Sequence, residues 1–217
     1  MDTNLIQGAS YFFLAFLAFF SLGVAVRLVR RFHHFSIPSF LIPLLDNPVR
    51  RRIQSPRKIA DRIDLRPCMS VIEVGPGTGM FTTEVARRVA PTGVVYAVDI
   101  SPKTTGKLRA RIRKQWSGTI VPIVASACDI PIQGAAVDRV FMVAVLAEIP
   151  DREKALMEFA RVLKPDGLLS VSEFISDPDY LLRRTVTKWC RKVGFKVISS
   201  HGNLFEYTLN FQIADSH

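Results

Sequence analysis

The first stretch of this chain lacks charge. No charged residue lies between Asp2 and Arg27, and the run 3–26 includes Tyr-Phe-Phe-Leu-Ala-Phe-Leu-Ala-Phe-Phe. No basic residue precedes it, which argues against a cleaved secretory leader, whose cationic segment comes first. The run exceeds the ~20 apolar residues a helix needs to cross a bilayer core, so it predicts a transmembrane anchor over residues 1–30. Cysteine is scarce too. Cys68, Cys128 and Cys190 are far apart and form no C-x-x-C, so neither a zinc site nor a redox pair is indicated and reduced thiols are expected. The histidines His33, His34, His201 and His217 show no metal-ligand spacing, and no metal is expected. Acidic residues are in the minority, with 29 Lys and Arg against 19 Asp and Glu.

The basic excess is local. Arg27, Arg30, Arg31, Arg50, Arg51, Arg52, Arg57, Lys58, Arg62 and Arg66 face only Asp46, Asp61 and Asp64 within residues 27–66. Such a collar beside an apolar span stays in the cytoplasm and attracts anionic headgroups. The expectation is a single-pass membrane protein with a lipid bilayer as partner and its main domain on the cytoplasmic side. Basic clusters also suit nucleic acid. Here the membrane span already accounts for the collar, and no nucleic-acid partner is expected. The apolar stretch 35–45, broken by Pro38 and Pro43, is too short to cross and reads as interfacial. Ser55-Pro56 then opens a short lead-in helix. These features set a juxtamembrane segment at 31–66 and the main domain at 67–217.

From residue 67 onward apolar runs alternate with amphipathic ones. Strands are expected at 70–74, 93–98, 120–125, 137–143 and 167–173, and helices at 78–89, 101–116, 151–163 and 177–193. Two closing strands, 196–200 and 205–211, flank Gly202-Asn203 and are too close for a helical crossover, so they pair antiparallel. The alternation implies an α/β domain with a largely parallel sheet and helices on both faces.

Chemistry concentrates at Val71-Ile72-Glu73-Val74-Gly75-Pro76-Gly77-Thr78-Gly79, a strand running into a glycine loop. Glycines there permit a sharp turn and close approach of a ligand. A dinucleotide fingerprint would need glycine where Met80 stands. A second apolar strand ends in Asp99, where a carboxylate can accept both ribose hydroxyls of a bound nucleoside. Two longer blocks follow, Val137 to Asp151 and Arg161 to Leu169, the second with Lys164-Pro165-Asp166-Gly167.

Acid-x-Gly-x-Gly-x-Gly, Asp99, Cys128-Asp129 and these two blocks together resemble the class I S-adenosylmethionine-dependent methyltransferases, in particular the ubiquinone/menaquinone-biosynthesis branch, over about residues 67–211. The resemblance implies a seven-stranded Rossmann-like sheet, mostly parallel with the last strand antiparallel. It implies S-adenosylmethionine as cofactor, with Glu73 at its amino end, Gly75, Pro76, Gly77, Thr78 and Gly79 cradling it, and Asp99 with Ile100 at the ribose. Cys128 and Asp129 meet the adenine, and Val145 completes the set. Ala147 stands where the branch often has histidine, which removes one candidate base. The Lys-Pro-Gly-Gly turn is Lys-Pro-Asp-Gly here, tolerable because Asp accepts left-handed geometry. Glu148, Glu173 and Tyr180, near the carboxyl ends of the strands, are the catalytic candidates. No Asn/Asp-Pro-Pro-aromatic sequence follows the fourth strand, so methylation of nucleic-acid amino groups is not supported. The expected function is methyl transfer to a small hydrophobic or lipid acceptor. A membrane-tethered, non-catalytic cofactor-binding protein and a protein methyltransferase are the alternatives. An oxidoreductase ranks lower because of Met80.

Overall fold

In a computed structural model describing residues 54–113 and 119–214, the chain runs through α1 (Pro56–Arg62), β1 (Ser70–Val74), α2 (Thr82–Val89), β2 (Val94–Asp99), α3 (Pro102–Ile112), β3 (Ile120–Val124), β4 (Val137–Val143), a single 3₁₀ turn (Leu146–Glu148), α4 (Arg152–Val162), β5 (Leu163–Phe174), α5 (Arg183–Lys192), β6 (Phe195–Gly202) and β7 (Glu206–Ile213). One sheet holds the strands in the order β3-β2-β1-β4-β5-β7-β6. β1 pairs parallel with both β2 and β4, while β7 runs antiparallel between β5 and β6. The expected α/β architecture with one antiparallel strand is therefore present.

Alternation along the strands sorts the core into two layers. Val71, Val95, Ala97 and Phe141 pack with Ile59 of α1 and Ile63 just after it, Val85 and Val89 of α2, and Leu108 and Ile112 of α3. Ile72, Val74, Val140, Met142, Val171 and Leu209 pack with Leu156 and Phe159 of α4 and Val186 and Cys190 of α5. Two helix starts follow their sequence cues. The Ser101 hydroxyl accepts from Thr104 N–H at 3.2 Å, and the Asp151 carboxylate accepts from Lys154 N–H at 3.0 Å.

Three boundaries differ clearly from expectation, each for a physical reason. α2 begins at Thr82, not Thr78, because Gly79 sits at φ +81° and its N–H closes a turn onto Pro76 O at 2.9 Å. α3 is described as Pro102–Ile112, and residues 114–116 of the expected helix lie outside the described residues. Lys164–Gly167 is no free turn but an irregular start to β5, with the β4 register shifting between Val137 and Arg139. Asp177 caps a turn, not a helix: its Oδ1 accepts from Asp179 N–H at 2.9 Å, and α5 starts only at Arg183.

The single-pass cytoplasmic-side localisation is corrected. Among the described residues no helix is long and apolar enough to cross a membrane. The longest, α3 and α4, have 11 residues each, roughly 16 Å of helix against a hydrocarbon core of ~30 Å. The expected anchor, the interfacial stretch 35–45 and most of the basic collar lie outside the described residues.

Arg139 of β4 ties α1 to the sheet from a buried position. Its guanidinium donates to Ile63 O (3.1 Å), Asp64 O (2.9 Å) and Asp138 O (2.8 Å), and to the Asp64 carboxylate at 2.8 Å. Replacing it by alanine strips several carbonyls of their donors at once. Arg139→Ala is expected to lose about 2–3 kcal/mol of stability. A urea midpoint within error of the parent would contradict this.

Candidate active site

The glycine loop follows from how β1 ends. Gly75 N–H donates to Val98 O at 2.9 Å, the last rung of the β1–β2 ladder. The chain then turns through left-handed positions at Gly75 (φ +68°), Gly77 (+55°) and Gly79 (+81°). A Cβ on Gly75 would stand 2.6 Å from Val145 Cγ2, and one on Gly79 2.5 Å from Leu108 Cδ1. A Cβ on Gly77 would meet nothing within 4 Å, so the middle of the loop faces open space. Pro76 is buried, and Thr78 O accepts from Arg111 Nη1 at 2.6 Å, which pins the loop to α3. A cavity of about 330 Å³ adjoins the loop, lined by Ser55, Pro56, Arg57, Met80, Thr83, Glu84 and Arg111.

Glu73 is only 2% exposed. It lies on the α1–α2–α3 face, since Ile72 and Val74 on either side face the other layer. Burial pushes its carboxyl up to about 8, with the Thr82 hydroxyl alongside pulling modestly the other way. That contact falls short of a hydrogen bond, and Glu73 Oε2 and Thr82 Oγ1 are both buried without a partner. Asp99, half-buried at the end of β2, accepts Ser101 N–H on Oδ1 at 2.8 Å. Burial raises its carboxyl and that bond lowers it. Ile100 beside it is 75% exposed. After β3, Ser126 and Asp129 form a small bridge, with Cys128 N–H on Ser126 Oγ at 3.1 Å and Cys128 Sγ donating to Asp151 O at 3.3 Å. Asp129 is exposed. Ala144, at the end of β4, holds φ +54°, a left-handed position unusual for a residue with a Cβ. Its N–H is fixed by Ser172 O at 2.9 Å.

The three catalytic candidates lie at the same edge of the sheet, nearer β5. Glu173 is 1% exposed and faces the α4–α5 side, the same side as Val171. One oxygen accepts Leu181 N–H at 3.4 Å, and the other, Oε1, has no partner. Burial pushes this carboxyl to about 8. The Leu181 N–H opposes the rise, and the nearby charges of Asp177, Asp179 and Glu148 add to it. Glu148 is exposed in the 3₁₀ turn after β4. The Tyr180 hydroxyl donates to Leu204 O at 2.7 Å, and burial pushes its pKa up.

Thr82, Tyr207 and Arg183 were not singled out in the sequence. Tyr207 donates to Leu181 O at 2.6 Å and packs edge-on to Tyr180 at 5.9 Å between ring centres. Arg183 lies 5.1 Å over the Tyr207 ring. Each gains its place from strand register and long-range packing, and carries no local motif.

Residues 72–171 match the family described as Methyltransferase domain. The Ubiquinone/menaquinone biosynthesis C-methyltransferase UbiE of Bordetella avium is 35% identical over 114 residues, 52% of this chain and 44% of that protein. The Nocamycin O-methyltransferase of Saccharothrix syringae is 27% identical over 122 residues, 56% of this chain and 44% of that one. The chain thus spans about half the length of the curated relatives it matches. A crystal structure of a SAM dependent methyltransferase from Aquifex aeolicus superposes with a TM-score of 0.77 at 21% identity, covering 82% of this chain and all of that one. The described fold is that of the S-adenosylmethionine-dependent methyltransferases. Residues 72–171 of this chain carry the methyltransferase-domain sequence pattern within that fold.

The two buried acids make stability depend on pH in a defined direction. A carboxyl raised from 4.5 to about 8 keeps its proton in the fold where the unfolded chain has lost it. Stability therefore falls as pH rises through that window. At about pH 9, Glu73→Gln and Glu173→Gln should each melt higher than the parent, by about 2–4 °C per kcal/mol of desolvation relieved. The gain should vanish as pH approaches 4.5. A pH-independent difference in thermal scans would refute the assignment.

Proposed function

We propose that this chain transfers a methyl group from S-adenosylmethionine to a small, largely apolar acceptor whose reacting atom must lose a proton. The reading rests most directly on one observation: two buried acids, each with an unpartnered oxygen, stand one residue before the carboxyl ends of β1 and β5 and on opposite faces of the sheet. An unsatisfied buried oxygen is costly. Two at a ligand-binding edge suit groups that arrive with ligands.

The residues near β1 fit the cofactor. Glu73, beside the orphaned Thr82 hydroxyl, would answer its ammonium group. The open backbone at Gly77 admits the chain that joins ammonium to ribose, and the Cβ-free face of Gly75 lets Val145 close over the loop. Asp99 keeps one oxygen for the ribose hydroxyls while Ser101 N–H holds the other. Ile100 offers an exposed apolar surface to a base, and Cys128 and Asp129 border the same side. When bound, the cofactor supplies an electrophilic methyl group on a sulfonium, open to in-line displacement. The protein aligns the acceptor, keeps the site dry and removes the acceptor's proton.

Glu173 is the residue proposed for that last task. Held near 8, its carboxyl is largely protonated at neutral pH and becomes a base of useful strength just above it. Glu148 lies nearby but is exposed to water, and the Tyr180 hydroxyl is already engaged with Leu204 O. An acidic hydroxyl or an activated ring carbon on the acceptor matches such a base. The relatives' names, one a quinone-pathway C-methyltransferase and one an O-methyltransferase, support an acceptor of this kind.

Calorimetric titration with S-adenosylmethionine tests the cofactor half. The parent should bind saturably, and Asp99→Ala should weaken binding about 10- to 100-fold, as expected for lost hydrogen bonds to a charged group. A folded parent with no binding would favour a non-catalytic scaffold. The pH profile tests the other half once an acceptor is in hand. Turnover should rise through about pH 8 in the parent. In Glu173→Gln it should fall by about 10²- to 10⁴-fold with that limb gone. An unchanged profile would move the base elsewhere.

A further inference from the structure

The edge of the sheet that carries Glu173 continues outward as an apolar surface. In the β5–β7 ladder Glu173 stands opposite Tyr207. Two residues further out, Ile175 N–H donates to Phe205 O at 2.8 Å, so Ile175 and Phe205 form the next step in register. Paired residues share a face and alternate residues return to it. Glu173 and Tyr207 thus share one side of the sheet, and the Ile175–Phe205 hydrogen bond carries the same ladder one step past the strand ends, beside that pair. The inner pair is buried. The outer pair is open, with Phe205 65% exposed, and neighbouring Leu204 is 77% exposed.

Hydrogen bonds hold this arrangement in place. The β6–β7 turn closes through Asn203 Oδ1, which accepts from the N–H groups of Phe205 (2.8 Å) and Glu206 (3.1 Å). Tyr180 Oη donates to Leu204 O at 2.7 Å, and Arg183 Nη2 donates to Asn203 O at 3.0 Å. The segment that fixes the turn also supplies the Leu181 N–H bound to Glu173 and the exposed Leu182. Polar backbone is thus satisfied inward, while four large apolar side chains are left facing water, on or beside the face that holds an unpartnered carboxyl oxygen.

We propose that Ile175, Leu182, Leu204 and Phe205 form a shelf that takes the hydrocarbon part of the methyl acceptor and so determines which acceptors are used. The inference rests on the methyltransferase reading above and adds the residues that set specificity. Its place beside Glu173 favours an amphiphilic small molecule, polar end inward and apolar end along the shelf, over a second copy of the chain.

The test uses the whole chain and para-ethyl-, para-butyl- and para-hexylphenol as probes, with affinities read by calorimetry. Affinity for the parent should rise about two- to fourfold per added methylene, the upper value being that for full burial. In Leu204→Ser/Phe205→Ser, and to a smaller degree in Leu204→Ser alone, the gain should fall below about twofold per methylene, approaching unburied methylenes. Val121→Ser, on the exposed edge strand β3, should keep the parent's slope. Equal slopes in parent and double variant would overturn the shelf. So would a parent dimer, seen by sedimentation velocity, that the double variant dissolves, since the occupant would then be a second copy. S-adenosylmethionine titrations of the same samples separate the two readings. Retained cofactor binding with equal slopes sinks only the shelf, whereas a folded parent that binds no cofactor sinks the methyltransferase reading and the shelf with it.

Discussion

The last rung of one ladder constrains much of this structure. Gly75 N–H on Val98 O ends the β1–β2 pairing, and β1 is flanked on its other side by β4, not β3. Strand order reverses between β1 and β4, so crossover connections leave on opposite sides and a crevice opens at their carboxyl ends. A chain leaving β1 there must turn away at once without blocking the crevice, which left-handed glycine achieves and a residue with a Cβ does not. Val145, arriving from β4, packs where the Gly75 Cβ would be. The left-handed Ala144 just before it shows that the β4 exit is forced into a similarly sharp turn, here by a residue less suited to it.

Strand alternation then separates the two halves of the proposed chemistry. Glu73 and Glu173 are each the penultimate residue of a strand, yet they face opposite helical layers. The sheet lies between them as a low-dielectric wall, and each acid is desolvated by a different set of helices. Both are lifted to about 8 by burial, but their surroundings differ. Around Glu73 the one contributing neighbour is a neutral hydroxyl, which suits ionisation only when a cation arrives. Around Glu173 three further carboxylates stand near and add to the rise that burial causes.

Much of this was legible in the sequence because it is local. The glycine loop, Asp99 at the end of β2, the Ser101 and Asp151 caps and the strand pattern each occupy a few consecutive residues whose spacing has one physical reading. The misplaced boundaries share a different property. α2 starts late because Gly79 turns left-handed against Leu108, a residue of another helix. Lys164–Gly167 falls inside β5, where the register with β4 shifts between Val137 and Arg139. Asp177 looks like a helix cap, yet its side chain closes a turn two residues on. In each case a partner distant in sequence, or a second use of the same side chain, outweighed the local signal. The long uncharged run 3–26 satisfied a length criterion, and no helix among the described residues meets it.

The same distinction explains why the cofactor half of the site is easier to read than the acceptor half. The proposed cofactor contacts come from loops that directly follow β1, β2 and β3, so motif and proposed site coincide. The proposed acceptor half is assembled from Glu173, Leu181, Arg183, Asn203 and Tyr207, joined by hydrogen bonds and a cation–π contact across two antiparallel strands. None of these residues has a distinctive neighbour in sequence. Antiparallel β7, inserted between β5 and β6, brings them together, and the β6–β7 turn can change its apolar residues without disturbing the ladder that holds it. On the proposed reading, acceptor choice varies at the tip of that hairpin while the glycine loop stays as it is.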